Sequence, residues 1–325
     1  MSDTIRWGIL GASSFALKHM APAIHAAHGC ELAAIATRSP EKAKDFSALV
    51  PGLQVFDDYD ALLADSSIDA VYLPLPNHLH VEWTQRAVAA GKHVLCEKPI
   101  ALSAQEIDGL IDLRDKSGLL VAEAFMIVQH PQWQHARALY QSGAIGKLLL
   151  ADGVFTYDNR DRENIRNRAE TGGGGIRDIG IYNYGCARYV SGEEPGKIIV
   201  TDIDEENDVD VYAHVVAEFP SFRCSAINGM RMTNRQEINF HGEEGVIRLT
   251  APFNAGVFSE ARVELHKPEQ EITTRRFPGV NQYVLQVENF NRSLNDHSLF
   301  LCPLEFSRGS QAMIDMVFAK QKQGR

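Results

Sequence analysis

The sequence predicts an α/β protein in which a doubly wound parallel sheet is followed by an α+β domain with a large, mainly antiparallel open sheet. Over roughly 120 residues from the amino terminus, short apolar strands alternate with helical patterns, which is typical of a parallel sheet with right-handed crossovers. Alternating apolar and polar runs dominate the rest of the chain and indicate antiparallel strands. Because 325 residues exceed what one core usually serves, we expect two domains, residues 1–124 and 125–325. The last helices are expected to belong to the second domain or to pack back on the first.

The first half of the chain alternates strands and helices at the spacing of βαβ units. The helix after Leu102 has the clearest start, because Ser103 stands at its cap and Glu106 completes a capping box. The predicted elements are strand 5–10, a helix that ends near residue 27, strand 31–36, helix 40–49, strand 54–56, helix 58–64, strand 69–73, helix 77–90, strand 93–96, helix 103–116 and strand 119–122.

The second half has longer strands and fewer helices. Alternating apolar residues between residues 196 and 277 predict antiparallel strands with turns between them. The predicted elements are helix 131–140, strand 147–157, a charged loop at 158–170, a glycine run at 172–175, helix 176–190, strands that include 209–219 and 235–240, and two final helices at 283–295 and 306–321.

Composition and charge exclude several classes of protein. Hydrophobic residues make up 45% of the chain and charged residues 23%, as in ordinary globular proteins. The net charge of −10 argues against non-specific binding to nucleic acid or to anionic membranes. No apolar run approaches transmembrane length, and the chain enters its first strand directly, so we expect no signal peptide. Five scattered cysteines without a C-x-x-C pair predict reduced thiols in the cytoplasm, not a disulfide frame or a zinc site.

The first βα turn, residues 8–16, partly matches the dinucleotide fingerprint G-x-G-x-x-G/A. The first glycine and the last small residue fit, but Ser13 stands at the middle glycine. Small residues still let backbone N–H groups approach a pyrophosphate at a helix N-terminus. A plain βα turn is the alternative. We assign the residues of this turn to cofactor binding: Gly11, Ala12, Ser13, Ser14 and Phe15.

The end of the second strand predicts which dinucleotide is bound. Thr37 and Arg38 stand where an Asp or Glu would bind the 2′-hydroxyl of NAD. A guanidinium instead pairs with the 2′-phosphate of NADP. We therefore assign both residues to the cofactor site and favour NADP, with NAD possible and a simple surface arginine as the alternative.

The segment Leu73–His80 ends another strand at the same edge of the predicted sheet. Asn77 can cap the following helix, and we assign Leu75, Asn77 and His80 to the cofactor site. His78 and His80 also suggest a metal site. Residues two apart on a helix do not share a face, however, and no acidic or thiol ligand is spaced to complete such a site. We expect no metal.

The stretch His93–Pro99 is the one around which the chain is organised. A short buried strand is followed by Glu97, Lys98 and Pro99. Ligands bind outside the carboxyl ends of strands in open α/β sheets, so Lys98 is placed to meet a ligand, and Pro99 stiffens its turn. An exposed ion pair in an ordinary loop is the alternative. We assign Lys98 to catalysis, and both Glu97 and Lys98 to cofactor contact.

The helix after the glycine run carries Asp178 and Tyr182, which lie four residues apart and so share a face. The glycines permit close approach of a ligand. A nearby cation favours the phenolate, so Tyr182 is a candidate proton-transfer partner for Lys98. The alternative is a structural carboxylate and a packed tyrosine. We assign Asp178 and Tyr182 to catalysis.

Taken together, the chain resembles the glucose–fructose oxidoreductase/inositol dehydrogenase (Gfo/Idh/MocA) family. The resemblance implies a Rossmann domain, followed by a domain whose open sheet forms dimer or tetramer contacts. It also implies hydride transfer on sugars, polyols or related cyclic alcohols, with Lys98 at the reacting hydroxyl and a Lys98–Pro99 bond that is often cis. The motifs that carry it are R-W-G-I-L-G-A at 6–12, A-T-R-S at 36–39, P-N-x-x-H at 76–80, G-K-H-V-L-C-E-K-P at 91–99, E-A-F-M at 123–126 and G-G-G-G-I-R-D-I-G-I-Y at 172–182.

Departures from the family pattern leave the substrate open. Tyr182 stands where family members commonly have His and resembles the dihydrodiol and xylose dehydrogenase branch, yet Ile127 and Val128 replace the Tyr-Arg of that branch. The Gly-Ala-Ser-Ser turn is similar to that of 1,5-anhydrofructose reductase. We expect an NADP-dependent oxidoreductase that acts on a sugar or polyol and forms a homodimer or homotetramer through its second sheet. A non-catalytic NAD(P)- and sugar-binding regulator is the other hypothesis, but such a protein does not need Lys98 and Tyr182.

Overall fold

The computed structural model describes residues 4–296 and 298–324, and it divides into two compact units. The first unit runs to Gln129 and takes in a second stretch, Asn281–Arg308. The second unit comprises His130–Val280 and the residues from Gly309 onward. The domain limits that the sequence suggests, at residues 124 and 125, stay a prediction. No helix in the described ranges has both the length and the apolar character needed to span a bilayer.

The first unit contains a six-stranded sheet in the order β3-β2-β1-β4-β5-β6, and every pair of neighbouring strands is parallel. The order reverses between β1 and β4, which is where doubly wound sheets bind ligands. The parallel sheet predicted from the sequence is thus confirmed. The strands are β1 (Ile5–Leu10), β2 (Cys30–Ala36), β3 (Gln54–Phe56), β4 (Ala70–Leu73), β5 (His93–Cys96) and β6 (Val121–Glu123).

The helices of this unit follow the strands closely in sequence. The best-defined start belongs to α5, where Ser103 and Glu106 form the predicted capping box. A π-helical turn at Ala16–Met20 leads into α1, and a 3-10 turn at Asn77–Leu79 leads into α4. The helices that lie between these strands in the sequence are α1 (Ala21–Ala26), α2 (Pro40–Leu49), α3 (Tyr59–Ala64), α4 (His80–Ala89) and α5 (Ala104–Ser117).

The second unit contains an eight-stranded sheet in the order β14-β13-β12-β11-β7-β10-β9-β8. Only β7 and β10 pair in parallel; the other neighbours are antiparallel, so the mainly antiparallel sheet is confirmed. The strands are β7 (Leu148–Asp158), β8 (Lys197–Glu206), β9 (Val209–Glu218), β10 (Arg223–Gly229), β11 (Arg231–Gly242), β12 (Val246–Leu249), β13 (Ala261–His266) and β14 (Ile272–Phe277).

One strand differs clearly from the sequence prediction. β11 begins at Arg231, four residues before the predicted start at Arg235. Residues 232–235 are exposed and almost all polar, so they lack the apolar alternation by which a half-buried strand is recognised. Arg231 pairs with Asp158 of β7 and Arg235 with Thr156, with an irregularity in the register between them, so the strand begins earlier than the side-chain pattern indicates.

Two helices, α6 (Pro131–Gln141) and α7 (Ile181–Ser191), belong wholly to the second unit. A π-helical turn at Ile176–Gly180 precedes α7. On α6 the buried Trp133 donates its indole N–H to the carbonyl oxygen of Pro252 at 2.8 Å. Gly153 of β7 faces α7, because a Cβ there would lie 2.3 Å from Asn183 Oδ1. One face of the large sheet is thus covered by helix within this unit.

The helix α8 (Gln282–Asp296) completes the core of the first unit from far along the chain. Its buried Asn291 accepts the indole N–H of Trp7 at 3.1 Å, and the ring of Phe290 lies 4.9 Å from the ring of Trp7. The last helix, α9 (Leu304–Gly324), begins in the first unit and continues in the second.

We expect Asn291→Ala to destabilise the first unit, because the buried indole N–H of Trp7 loses its acceptor. Loss of one partner of a buried hydrogen bond costs about 1–3 kcal/mol. Urea unfolding followed by tryptophan fluorescence should give a lower midpoint for this variant than for the wild type. Asn295→Ala, at an exposed position one turn later, is the matched control and should leave the midpoint unchanged. Equal midpoints for Asn291→Ala and the wild type would contradict the contact.

Candidate active site

The turn after β1 has the geometry of a phosphate-binding loop. Gly11 has a φ of 111°, a conformation that L side chains rarely adopt. A Cβ at this position would lie 3.0 Å from Leu75 Cδ2 and 3.3 Å from Tyr59 Oη. The turn sits where the strand order reverses, beside β4. Glycine is therefore required here, and Leu75 and Tyr59 define the wall next to it.

The side chain of Ser13 stabilises the start of the helix that follows. Its hydroxyl oxygen accepts the N–H of Ala16 at 3.0 Å, and its own N–H donates to the carbonyl oxygen of Gly11 at 3.1 Å. Ala12 is partly exposed and Ser14 is exposed, while Phe15 packs against Tyr283 with ring centroids 5.7 Å apart. The first turn of a helix leaves N–H groups without intrahelical partners and favours an anion there. The turn thus fits a pyrophosphate although its middle glycine is missing.

The end of β2 places Thr37 and Arg38 at the same edge of the sheet. The buried Thr37 accepts the N–H of Ser39 at 3.2 Å through its hydroxyl, and Arg38 is exposed. Tyr59 lies near Arg38: burial raises the pKa of the Tyr59 phenol, and the positive charge of Arg38 partly opposes that rise. Tyr59 was not identified from the sequence, because one aromatic residue in a short helix carries no motif.

The turn after β5 presents Glu97 and Lys98, and its Lys98–Pro99 peptide bond is cis. The buried Tyr72 of β4 donates its hydroxyl to Glu97 Oε1 at 2.5 Å. The N–H of Lys98 donates to Glu97 Oε2 at 3.3 Å. Burial and the charge of Glu97 raise the pKa of Tyr72 well above its ordinary value, so Tyr72 remains a hydrogen-bond donor.

His80 ties this turn to the loop after β4. The ring is fully buried, with Nδ1 at 2.7 Å from the carbonyl oxygen of Pro99 and Nε2 at 2.8 Å from that of Leu75. Burial lowers the pKa of His80, and the two carbonyl contacts oppose that shift. Cofactor contact by His80 stays a prediction, since both ring nitrogens face protein carbonyls. Within the described ranges, no three His, Cys, Asp or Glu side chains are grouped to hold a metal ion.

A third buried side chain, from β6, supports the turn after β5. Glu123 is 1% exposed, and its Oε1 accepts the N–H of Ile100 at 2.9 Å.

Asn77 stands at the start of the 3-10 turn after β4 and is half-buried. The carboxyl ends of β1, β2, β4 and β5 thus carry all the residues of the first unit that the sequence assigned to the site.

In the second unit, Asp178 is held by two residues that sequence reasoning missed. Tyr157 donates its hydroxyl to Asp178 Oδ2 at 2.6 Å, and Arg166 Nε lies 3.0 Å from Asp178 Oδ1. Burial and the charge of Asp178 raise the pKa of Tyr157, and the ion pair raises the pKa of Arg166. No sequence signal marks either residue, because Tyr157 is one residue near the end of a long strand and Arg166 lies among several charged residues of one loop.

Tyr182 lies on α7 one turn beyond Asp178 and is 5% exposed. Its ring packs with those of Phe155 and Phe253, at centroid distances of 5.7 and 5.8 Å. Phe155 and Phe253 are themselves stacked, at 4.8 Å. The aromatic packing fixes the ring of Tyr182 on the same helical segment as Asp178, and its phenol lies close enough to Arg166 to contribute to the raised pKa of that guanidinium.

The glycine run before this segment accommodates protein atoms. A Cβ at Gly173 would lie 2.5 Å from the carbonyl oxygen of Arg166, and a Cβ at Gly174 would lie 2.2 Å from Asp210 Oδ1. The sequence suggested that the glycines admit a ligand. What approaches these two glycines is the backbone of the charged loop and a buried carboxyl group from β9.

Comparison with known proteins gives two family matches. Residues 5–125 match an oxidoreductase family described as having an NAD-binding Rossmann fold, and residues 133–248 match the GFO/IDH/MocA C-terminal domain.

Among individual proteins, the chain is 41% identical to a dTDP-3,4-didehydro-2,6-dideoxy-α-D-glucose 3-reductase of Streptomyces violaceoruber, over 82% of this chain and 78% of the relative. It is 30% identical to a D-xylose 1-dehydrogenase (NADP⁺) of Haloferax volcanii, over 98% of both chains. It also resembles the crystal structure of a 3-ketoreductase from Actinomadura kijaniata in complex with NADP and TDP-benzene. That match has a TM-score of 0.89 and 28% identity and covers 97% of both chains.

Proposed function

The chain belongs to the Gfo/Idh/MocA oxidoreductase family, and we propose that it transfers a hydride between NADP and a hydroxyl or keto group of a sugar, polyol or related cyclic compound. The observation that carries this proposal is the turn after β5. It presents Lys98 at the carboxyl edge of the parallel sheet, the same edge at which the Gly11 turn fits a pyrophosphate. The resemblance seen in the sequence is confirmed by the family matches.

The residues of the first unit suit NADP. The N–H groups of the first helical turn, from Ser14 and Phe15, are placed for the pyrophosphate, and the exposed guanidinium of Arg38 for the 2′-phosphate. Bound NADP supplies or accepts the hydride. A solved 3-ketoreductase of this fold holds NADP, and the similar xylose dehydrogenase is named for NADP⁺, which supports this choice over NAD.

We assign the transfer of the proton to Lys98 and Tyr182. The ammonium of Lys98 hydrogen-bonds the reacting oxygen and stabilises negative charge that develops there, while the Tyr182 phenol exchanges the proton. Asp178, with its carboxylate fixed by Tyr157 and Arg166, orients the substrate. Solved variants of the Actinomadura 3-ketoreductase alter one lysine and one tyrosine, the two residue types to which we assign the proton.

Sugars are the substrate class that the relatives support. One acts on a dTDP-linked deoxysugar and another on D-xylose, so nucleotide-linked and free sugars both belong in the first panel. Absorbance at the nicotinamide band, in both directions of reaction, identifies any substrate. The five cysteines, all within the described ranges, form no disulfide bond, which supports a reducing compartment such as the cytoplasm. Absence of turnover with the whole panel would favour the regulatory alternative.

Arg38→Asp should shift the preference from NADP toward NAD, because the new carboxylate repels a 2′-phosphate and accepts from a 2′-hydroxyl. Loss of one charge-assisted contact costs about 1.5–3 kcal/mol, or roughly tenfold to a hundredfold in NADP affinity. The ratio of kcat/KM for the two cofactors is the measurement. Lys42→Asp, at an exposed position on the neighbouring helix α2, controls for the change in net charge. An unchanged cofactor ratio in Arg38→Asp would remove Arg38 from the site.

Lys98→Met should leave NADPH binding, measured by fluorescence titration, within a few-fold and lower turnover by about 10² or more, the typical worth of an acid–base group. Tyr182→Phe should also lower turnover. The double variant should lose far less than the product of the single losses, because groups that act as a unit are not additive. Near-normal turnover of Lys98→Met on the proper substrate would refute its role.

Self-association is the remaining part of the proposal. The face of the large sheet opposite α7 carries half-buried polar pairs, including Asn239 with Asp152 at 2.9 Å and His214 with Ser225 at 3.0 Å. Half-buried apolar residues such as Ile227 lie between them. A broad, flat face of this mixed character, together with the family membership, supports a symmetric interface between copies.

Light scattering at micromolar concentration should therefore give a dimer or tetramer of the 36.0 kDa chain. Ile227→Arg should lower the mass to that of the monomer, because a charge is buried at the centre of the interface. Val55→Arg, at an exposed apolar position on β3 of the first unit, should leave the mass unchanged. A monomeric wild type that retains activity would rule out this assembly.

A further inference from the structure

Asp210 of β9 is a buried carboxyl group that lies directly against the glycine run, and the proposed chemistry does not use it. We infer that Asp210 is a positioning residue: it fixes the backbone at Gly174 and Ile176 and thereby holds Asp178 and Tyr182 in their working arrangement. This inference rests on the roles proposed above for Asp178 and Tyr182, and it concerns the second unit alone.

The contacts of Asp210 show how the backbone is held. Its Oδ2 accepts the N–H of Ile176 at 2.6 Å, at the beginning of the helical segment that carries both functional residues. Its Oδ1 occupies the space of a side chain at residue 174, since a Cβ there would approach it to 2.2 Å. Asp210 is 5% exposed, so water does not compete for these contacts. The carboxyl group thus acts as both a hydrogen-bond acceptor and a steric stop.

Gly174 transmits this restraint to both members of the ion pair at the site. Its N–H donates to the carbonyl oxygen of Arg166 at 2.9 Å, and its carbonyl oxygen accepts the N–H of Asp178 at 3.0 Å. The side chains of Arg166 and Asp178 in turn lie 3.0 Å apart. If Gly174 moves, the backbones of both residues move with it, and the carboxylate of Asp178 loses its fixed direction.

The surroundings of Asp210 indicate that its acceptor oxygen, not its charge, is the important property. Burial raises the pKa of Asp210 to about 7, while the N–H of Ile176 and the charge of Arg177 oppose part of the rise and Glu205 of β8 adds to it. Burial raises the pKa of Tyr184 on α7, and the charge of Asp210 adds to that rise. Burial thus disfavours the charged form of Asp210, and an amide of the same shape can replace the carboxyl group as the acceptor for Ile176.

This leads to a comparison of Asp210→Asn with Asp210→Ala at pH 6. The Asn variant keeps an acceptor of the same size, whereas the Ala variant leaves the N–H of Ile176 unpaired and a space beneath Gly174. We expect kcat to fall about 10- to 100-fold in the Ala variant, since a small displacement of a catalytic group has effects of this size. We expect the Asn variant to stay within about threefold of the wild type, and NADPH affinity to be unchanged in both.

Hydrogen–deuterium exchange of the peptide that spans residues 172–182 supplies a measurement independent of turnover. Exchange should be faster than in the wild type for Asp210→Ala and unchanged for Asp210→Asn. Asp202→Ala, at an exposed position on β8 of the same sheet, is the control and should change neither exchange nor kcat. If the Ala variant does not fold, Asp210→Ser, whose hydroxyl is too short to reach Ile176 in the same way, takes its place.

Unchanged exchange in the Ala or Ser variant would overturn the inference, and so would faster exchange accompanied by a normal kcat. A loss of kcat in Asp210→Asn as large as in Asp210→Ala would also overturn it, because the acceptor is then not the property that matters. Failure of the proposed function has a different signature. In that case Tyr182→Phe and Asp178→Asn leave turnover unaffected, while the exchange difference between the Asp210 variants persists.

Discussion

The backbone of the turn after β5 is the constraint on which the first unit depends. A turn at the end of a strand is ordinarily free to move, yet this one is fixed by Tyr72 through Glu97, by His80 through the carbonyl of Pro99, and by Glu123 through the N–H of Ile100. Each of the three is almost fully buried, where a hydrogen bond is strong and an unpaired polar group is costly. The position of Lys98 is therefore set by the sheet itself.

The second unit uses the same principle with different residues. Asp178, to which we assign the orientation of the substrate, is held by Tyr157, Arg166 and the backbone of Gly174. In both units a buried polar side chain from a neighbouring strand stabilises the backbone that carries the functional group. Such preorganisation lowers the cost of ordering these groups when substrate binds.

The sequence predicted the parallel sheet, the larger antiparallel sheet and the family, because these rest on periodicity and on contiguous motifs. It did not reveal the supporting residues. Tyr72 reads as one more apolar residue of a buried strand, and its partner Glu97 is 25 residues away. Asp210 is a single acidic residue at a strand start, and it meets Ile176 34 residues earlier in the chain. Contacts between elements distant in sequence leave no local pattern, and the exposed start of β11 left none either.

The position of α8 has a consequence for how the protein is made. Trp7 and Asn291 are separated by 284 residues, and the larger part of the second unit, His130–Val280, is encoded between them. During synthesis the amino-terminal strands emerge long before the helix that completes their core, so part of the apolar surface around Trp7 has no native cover until residue 291 has left the ribosome. Loop closure over such a distance is also slow. The nascent first unit therefore exposes apolar surface that α8 covers in the finished protein.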